Sequence, residues 1–339
     1  MTKTMKLATP RPPNEALIGY TKKRGTAWHY QLATVGGETN AYPGPIPVED
    51  VRRRLFNWRA LEGTAESAVL TEHGVTRYSD ETRKAIIRSD TGTIFKFPKK
   101  GYAIHDYQTT LLDNIENILD ANIAIGQAGL LDGGAKAWVQ VEMADTLEVH
   151  GVEFRPFLTA VTSLDSSIAT QYVHGNTLIV CSNMMRLALS AEAAKRLKVR
   201  HSKNSMPKVR DARSALGIIH SAADSFTDQV NALIEQTVSE MQFEEFMGLW
   251  AGPTSDAQRS ITMAQNKQDT LRALWNDDER VSPWKGTAYG VWAMVNTYGH
   301  HYRMVQSVTR AERNISNMIE GKQAEFDREA MEILADVLV

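Results

Sequence analysis

The chain has 339 residues, of which 42% are hydrophobic and 23% charged, a composition that excludes disorder of the whole chain. Its 38 Lys plus Arg residues nearly balance 40 Asp plus Glu residues, for a formal net charge of -2. This balance excludes a uniformly basic protein but leaves room for a local basic surface. At about 150 residues per domain, the length predicts roughly two domains.

A single cysteine, Cys181, excludes an intramolecular disulfide and a multi-thiolate zinc site. No window approaches about 18 consecutive apolar residues, and the N-terminus lacks the apolar stretch of a signal peptide. We therefore expect no membrane span and predict a cytoplasmic location.

Residues 1–50 are rich in proline and glycine and resist regular structure, apart from one candidate strand at 27–32. The sequence is compatible with an N-terminal arm that lies over the main body or over a neighbouring subunit. It is equally compatible with a flexible leader.

Residues 51–205 are predicted to form an antiparallel sheet core. A strand at 84–88, a turn at Asp90-Thr91-Gly92 and a strand at 93–97 indicate a hairpin, and Asp106 is expected to cap a helix that ends near residue 121. Further strands are predicted at 123–131, 135–143, 152–161, 168–173 and 177–181, with turns at 132–134 and 174–176. Short connections without crossover helices favour an antiparallel meander.

Residues 206–339 are predicted to be helical. Apolar side chains from Leu216 to Thr237 advance by alternating steps of three and four, which is typical of a helix packing on a partner. Two more helices are expected at 287–302 and 307–338. The predicted class is α+β: an antiparallel β-meander with a packed helix, followed by a mostly helical C-terminal half.

The strongest charge feature lies between residues 195 and 213, where eight Lys and Arg residues stand against one acid, Asp211. Such a run can bind a polyanion, because phosphate contacts release condensed counterions. The predicted phosphate contacts are Lys195, Arg196, Lys198, Arg200, Lys203, Lys208 and Arg210. A solvated helix end is the alternative interpretation.

Two smaller groups mix basic and aromatic residues, a combination that suits single-stranded nucleic acid. Arg52, Arg53 and Arg54 come before Trp58, and Lys96, Lys99 and Lys100 come before Tyr102. The arginines would assist with phosphates, and Trp58 and Tyr102 would be stacking platforms for bases. The alternative is that these aromatic rings are core anchors.

Enzyme signatures are missing from the sequence, including a phosphate-binding loop, a nucleophile elbow and a zinc-protease motif. The residues give no convincing catalytic set and predict no metal and no cofactor. Cys181 is interpreted as a core thiol. A remaining hypothesis is a nucleic-acid enzyme with a metal at Asp165 or at the His300-His301 pair.

Several segments resemble the phage/plasmid-like protein family, a domain of unknown function (932). The matching segments are 87–92, 100–102, 129–139, 162–167, 179–183, 200–202 and 286–301. Leu164 and Ser166 stand where that family usually has histidine and glycine. The resemblance spans about residues 50–339 and implies a mobile-element setting, with no settled activity to transfer.

The order of predicted elements also resembles, at the level of architecture, the single-strand annealing proteins of the Rad52 and RecT type. The leading hypothesis is therefore a phage or mobile-element protein without catalytic activity that binds single-stranded DNA, as an annealing or recombination homo-oligomer. The alternative is an oligomeric interaction or assembly protein of a phage with no direct nucleic-acid role.

Overall fold

The computed structural model describes residues 14–23, 37–119, 122–178, 184–185, 197–199, 214–306 and 308–339. The strands in these ranges are β1 (Glu15–Ile18), β2 (Ala60–Thr71), β3 (Gly74–Arg88), β4 (Ile94–Lys96), β5 (Ile123–Leu131), β6 (Lys136–Met143), β7 (Leu147–Val149), β8 (Val152–Ser163), β9 (Thr170–Leu178), β10 (Met184–Met185) and β11 (Leu197–Val199). The predicted strand at 27–32 lies outside the described residues.

The α-helices in the same ranges are α1 (Val48–Arg54), α2 (Asp113–Glu116), α3 (Ser214–Glu235), α4 (Glu240–Ala251), α5 (Gln258–Asp277), α6 (Ala288–Thr297), α7 (Arg310–Glu320) and α8 (Lys322–Val337). Two π-helical turns, Gln108–Leu112 and Tyr298–Tyr302, directly precede α2 and follow α6. The predicted α+β class, with antiparallel strands followed by a mostly helical half, is confirmed.

The main sheet has eight strands, in the central order β1-β5-β6-β8-β9-β10, with β7 beside β8 and β11 beside β9. Every pair is antiparallel. Its β5–β6 connection is the predicted turn at Asp132–Gly134, where Gly133 and Gly134 adopt positive φ angles that side chains disfavour. The meander thus follows from short turns, as the sequence predicted.

A second sheet of three strands, β2-β3-β4, contains the predicted pairing across Asp90-Thr91-Gly92. Its long β2–β3 hairpin turns through Glu72 and His73. A bulge between Thr64 and Glu66 separates the base of the hairpin from its distal part, residues 66–79. We call this part the distal hairpin.

Apolar side chains form three clusters. The first lies between one face of the main sheet, α1 and the helical turns at 108–118, and includes Phe56 and Leu111. The second joins α3–α6 and α8 to Phe154 of β8. The third lies on the opposite face of the main sheet, where α7 covers Trp138. The main sheet is therefore buried on both faces.

Three predicted elements differ from the structure. The turn predicted at 174–176 is wrong, because β9 runs unbroken through Gly175, which pairs with Phe157 of β8. The helix predicted from Asp106 is shorter, with α2 ending at Glu116, and the Asp106 carboxylate accepts from Gln108 N at 3.0 Å at the start of the π-helical turn that precedes α2. Helices α4 and α5 were not predicted. The last predicted helix is two helices, since Gly321 adopts a φ of 85° between α7 and α8.

Candidate functional site

The basic run at 195–213 has one described point of attachment. Residues Leu197–Val199 form β11, which pairs with the outer edge of β9 so that Lys198 lies opposite Gln171. Lys195, Arg196, Arg200, Lys203, Lys208 and Arg210 lie outside the described residues. Their role as phosphate contacts stays a prediction, tied to the sheet edge through Lys198.

Arg52 and Arg53 pair with carboxylates. The Arg52 guanidinium lies 3.2 Å from Asp113 Oδ1 and 3.1 Å from Glu116 Oε2, and so links α1 to α2. Arg53 donates to both carboxylate oxygens of Glu38, at 2.7 and 2.9 Å, and this pairing lowers the pKa of Glu38. A phosphate at either arginine would compete with a charge-assisted bond already in place.

Arg54 holds the segment before α1. Its side chain is buried, and Nη1 donates to Thr39 O at 2.8 Å and to Tyr42 Oη at 2.7 Å. The Tyr42 hydroxyl in turn donates to Asp50 at 2.7 Å. In this arrangement Arg54 braces the entry to α1 from within.

Trp58 lies in the first cluster and is 5% exposed. Its Nε1 donates to Leu55 O at 2.9 Å, the Arg88 guanidinium lies 4.4 Å from its ring centroid, and the Tyr107 ring meets it edge-on. A base could stack on Trp58 only if these contacts opened. The ring is an anchor of the core in this conformation.

Tyr102 is half-buried at the rim of the same cluster. Burial raises the pKa of Tyr102 to about 12, so the group is a neutral phenol at pH 7. Its hydroxyl donates to Ser163 O at 3.1 Å and fixes the ring beside the turn that follows β8. Tyr102 as a residue stays partly accessible, whereas Trp58 is buried.

The turn at 163–167 is held by its own side chains. Asp165 Oδ1 accepts from Ser167 N at 2.9 Å, and the buried Leu164 donates its N–H to Ala135 O at 2.7 Å. Ser166 has a φ of 62°, in the left-handed region that favours glycine. Ser166 thus has a glycine-like backbone conformation at the position where the motif resemblance implies glycine.

Segments that carry the family resemblance meet around this turn. Arg88 donates to Gly133 O at 3.0 Å and pairs with Asp90 at 2.8 Å, and Tyr107 donates to Gly134 O at 2.8 Å. Residues far apart in the chain thus converge at one end of the main sheet. Their polar atoms are largely satisfied by one another, which is how a rigid scaffold is built.

Lys96 and Lys99 differ from the paired arginines. Both are exposed, and neither ammonium group has a carboxylate within 4.0 Å among the described residues. Between them the Phe97 ring is 39% exposed. Arg83 fixes this segment by donating to Phe97 O at 2.8 Å, and Lys100 pairs with Glu81 at 3.1 Å. We call residues 96–99 the basic-aromatic segment.

A cleft of about 460 Å³ lies beside the bulge in the β2–β3 hairpin. Its charged lining is paired internally, since Lys84 contacts Glu62 and Arg83 lies 3.5 Å from Asp80. Pockets for cofactors are mostly apolar with a few polar groups. This cleft is lined mainly by charged and polar residues, with three acidic and three basic side chains, so it does not resemble such a pocket.

A row of buried polar side chains crosses the centre of the main sheet and was missed by the sequence analysis. Gln127, Gln140 and Thr159 lie directly opposite one another on β5, β6 and β8. Thr159 donates to Gln140 at 3.1 Å, and Gln140 donates to the buried Glu142 at 2.9 Å. Polar residues at alternate positions 140 and 142 of an otherwise apolar strand were the available signal.

Arg155 lies on the same face of the sheet as Glu142. It is fully buried, with its guanidinium 4.3 Å from the Tyr20 ring centroid and Nη2 donating to Thr146 at 3.1 Å. Gly126 leaves the space that the Glu142 carboxylate occupies. Buried charges are costly and require partners, so the face that carries the apolar third cluster also holds a polar patch around Glu142 and Arg155.

The described ranges contain no group of three or more His, Cys, Asp or Glu side chains arranged to hold a metal ion. His300 is buried, and burial lowers the pKa of its neighbour His301 to about 4. Within the same ranges, no helix has both the length and the apolar character that a membrane crossing requires.

Comparisons with known proteins agree with the motif resemblance. A family model described as a domain of unknown function, DUF932, matches residues 95–319. No curated protein and no solved structure matches. Because the family model covers more than half of the chain, this protein belongs to the DUF932 family.

Proposed function

We propose that this protein binds single-stranded DNA as a non-enzymatic homo-oligomer in a phage or another mobile element. The observation that carries the proposal is the basic-aromatic segment, in which two lysines without a carboxylate partner in the described part of the chain flank an exposed phenyl ring in sequence. Sites for single strands combine cations along the backbone with rings on which bases stack.

The basic-aromatic segment is rigid enough to present its groups. Lys84 N donates to Pro98 O at 3.1 Å and Lys100 N donates to Thr82 O at 3.0 Å, so the segment extends the edge of the three-stranded sheet. Stacking of one base on a ring contributes about 1–3 kcal/mol. Phe97 supplies such a ring without the loss of core packing that Trp58 would require.

The basic run at 195–213 would supply the longer phosphate track. Its described strand, β11, sits at the edge of β9, where an extended chain can continue away from the sheet. The absence of catalytic motifs from the sequence supports a binding role. The order of elements predicted from the sequence, which resembles that of Rad52- and RecT-type annealing proteins, supports the same proposal as a fold-level analogy.

Fluorescence anisotropy of a labelled oligothymidylate tests the proposal. The wild type should bind with an affinity that falls steeply with salt, because bound phosphates release counterions. The double variant Lys96→Glu, Lys99→Glu should weaken binding at least about tenfold and reduce the salt slope by about two. Reversal of Lys198, Arg200 and Lys203 together should abolish binding at moderate salt.

A matched control reverses two exposed cations of the helical half, Arg259→Glu and Lys285→Glu, which changes the net charge equally. This control should retain wild-type affinity to within about twofold. Absence of salt-dependent binding by the wild type, or equal losses in both double variants, would refute the proposed interface.

A second candidate function is assembly without nucleic acid. The distal hairpin favours it, because it exposes Leu70 and Val75 at its tip instead of burying them. A defined oligomer that forms without DNA and shows no dependence on Lys96, Lys99 or the basic run would select this function.

A further inference from the structure

We propose that the distal hairpin, residues 66–79, is an assembly arm that pairs edge to edge, head to tail, with the distal hairpin of a second copy of this chain. The inference rests on the homo-oligomer of the proposed function and names the surface that forms it. It does not require bound DNA.

The distal hairpin is exposed on both faces. Leu70 and Val75 pair directly across the strands and are 82% and 63% exposed, while Val69 and Tyr78 are exposed on the opposite face. An isolated two-stranded hairpin is at best marginally stable in water. Fourteen residues arranged in this way, with aliphatic side chains at the tip, form a surface suited to a partner.

Both edges of the distal hairpin are unpaired within the described structure. Strand β3 is covered by residues 93–100 only from Thr82 onward, and β2 has no neighbour other than β3. Monomeric proteins protect exposed edges with lysine, proline or inward charges. Residues 66–79 contain neither lysine nor proline. The backbone groups of these edges can therefore accept another strand.

Charge selects the occupant and its orientation. Within the distal hairpin, β2 carries Glu66 and no basic residue, whereas β3 carries Arg77 and no acidic residue. A two-fold pairing of β2 with its own copy would leave Glu66 of each copy beside a strand that has no basic residue. A head-to-tail pairing instead places the acidic β2 of one copy beside the basic β3 of the next.

The same pairing of an acidic with a basic side chain already occurs within each hairpin. Within one chain, Arg77 Nη1 lies 3.7 Å from Glu66 Oε2 across the antiparallel pair. If successive copies keep the same orientation, β3 of one and β2 of the next are again antiparallel, and the same pairing of charges repeats between chains. Head-to-tail contacts close into rings or extend as filaments.

Multi-angle light scattering without DNA tests the inference. The wild type should have a mass of several 37.8 kDa chains. The variant Leu70→Lys, Val75→Lys should be monomeric with an unchanged melting temperature. A matched control, Met241→Lys with Leu249→Lys, changes two comparably exposed residues of α4, at 79% and 61%, and should keep the wild-type mass.

A series of charge exchanges distinguishes specific pairing of the β2 and β3 edges from non-specific apolar association of the hairpin tip. Arg77→Glu alone should dissociate the oligomer, because acidic residues then line both edges. Adding Glu66→Arg exchanges the two charges and should restore the oligomer, both within and between chains. The melting temperature of each variant reports on folding of the body independently.

A monomeric wild type would overturn the inference, as would an oligomer that survives both Leu70→Lys, Val75→Lys and Arg77→Glu. Anisotropy measurements on the same variants distinguish this failure from failure of DNA binding. A monomeric hairpin variant should still bind a short oligonucleotide through the basic-aromatic segment, with less cooperative binding to long strands.

Discussion

The main sheet and the distal hairpin are both antiparallel, yet the first buries most of its side chains and the second exposes them. The main sheet is buried on both faces, to the extent that Gly129 is needed to leave room for the Trp138 ring on the neighbouring strand. The distal hairpin buries almost nothing. The free energy of unfolding therefore depends mainly on the main sheet and the helices that cover it. Substitutions on the surface of the distal hairpin should lower it very little.

The largest expected effect that sharpens this comparison is at Trp138. Replacement by alanine leaves a cavity between the main sheet and α7 and should lower the free energy of unfolding by about 3–5 kcal/mol. Urea denaturation measures the loss. Tyr78→Ala in the distal hairpin removes another aromatic ring, but from an exposed site, and should change stability by less than about 0.5 kcal/mol. Similar losses for the two variants would contradict the comparison.

A second expected effect concerns a buried carboxyl in the helical half. Burial raises the pKa of Asp327 to about 7, although Asn296 and Gln323 each donate to it at 2.8 Å. The folded protein then holds a proton that the unfolded chain has lost, so this group makes stability fall as pH rises from about 4 to 7. Between about pH 4 and pH 7, the free energy of unfolding of Asp327→Asn should therefore rise relative to that of the wild type by on the order of 4 kcal/mol.

The titration of His301 has the opposite effect on the pH dependence of stability. Burial and then Arg280 lower its pKa to about 4, so the unfolded chain binds the extra proton, and stability rises from about pH 4 to 6.5 and is retained above it. Between about pH 4 and pH 6.5, the free energy of unfolding of His301→Gln should therefore fall relative to that of the wild type by on the order of 3 kcal/mol. Denaturation of both variants at a series of pH values provides the measurement, with Tyr78→Ala as a control that keeps the wild-type profile. Parallel curves for all four proteins would contradict these assignments.

The smallest expected effect is at the turn after β8. Ser166 adopts a φ of 62°, which glycine tolerates better than serine. Ser166→Gly should raise the free energy of unfolding by about 0.5–1 kcal/mol, measured by thermal or urea unfolding. Ser167→Gly is the control, because it removes a side chain that donates to Asp165 and should destabilise the turn.

Hydrophobic periodicity predicted the buried elements well. The strands on either side of residues 132–134 and the seam of α3 each have a clear apolar pattern, and Asp132-Gly133-Gly134 marks the turn between the two strands by its residue types. The same method missed β2, because a strand that buries little surface need not alternate apolar and polar residues. It split β9 at His174-Gly175-Asn176, where glycine and asparagine are typical of turns, although the pairing with β8 keeps them extended.

The candidate site could be predicted only in part. The sequence shows the basic residues, but not which of them are already paired. Arg52 and Arg53 pair with carboxylates from other segments, whereas Lys96 and Lys99 have no such partner within the described ranges. That difference depends on tertiary contacts. Phe97 was not selected because its exposure is likewise a property of the fold. The buried Glu142 and Arg155 were missed because charged residues are ordinarily assigned to the surface.

The pairing of β1 with β5 has a consequence for how the protein is made. Ala16 and Ile18 of β1 are covered by Ile315 of α7, and Asn14 donates to Glu312 at 2.9 Å across 298 positions of the chain. During synthesis, the sheet face around Trp138 cannot close until α7 has left the ribosome. We expect its folding to finish late, with this face open to chaperones until then.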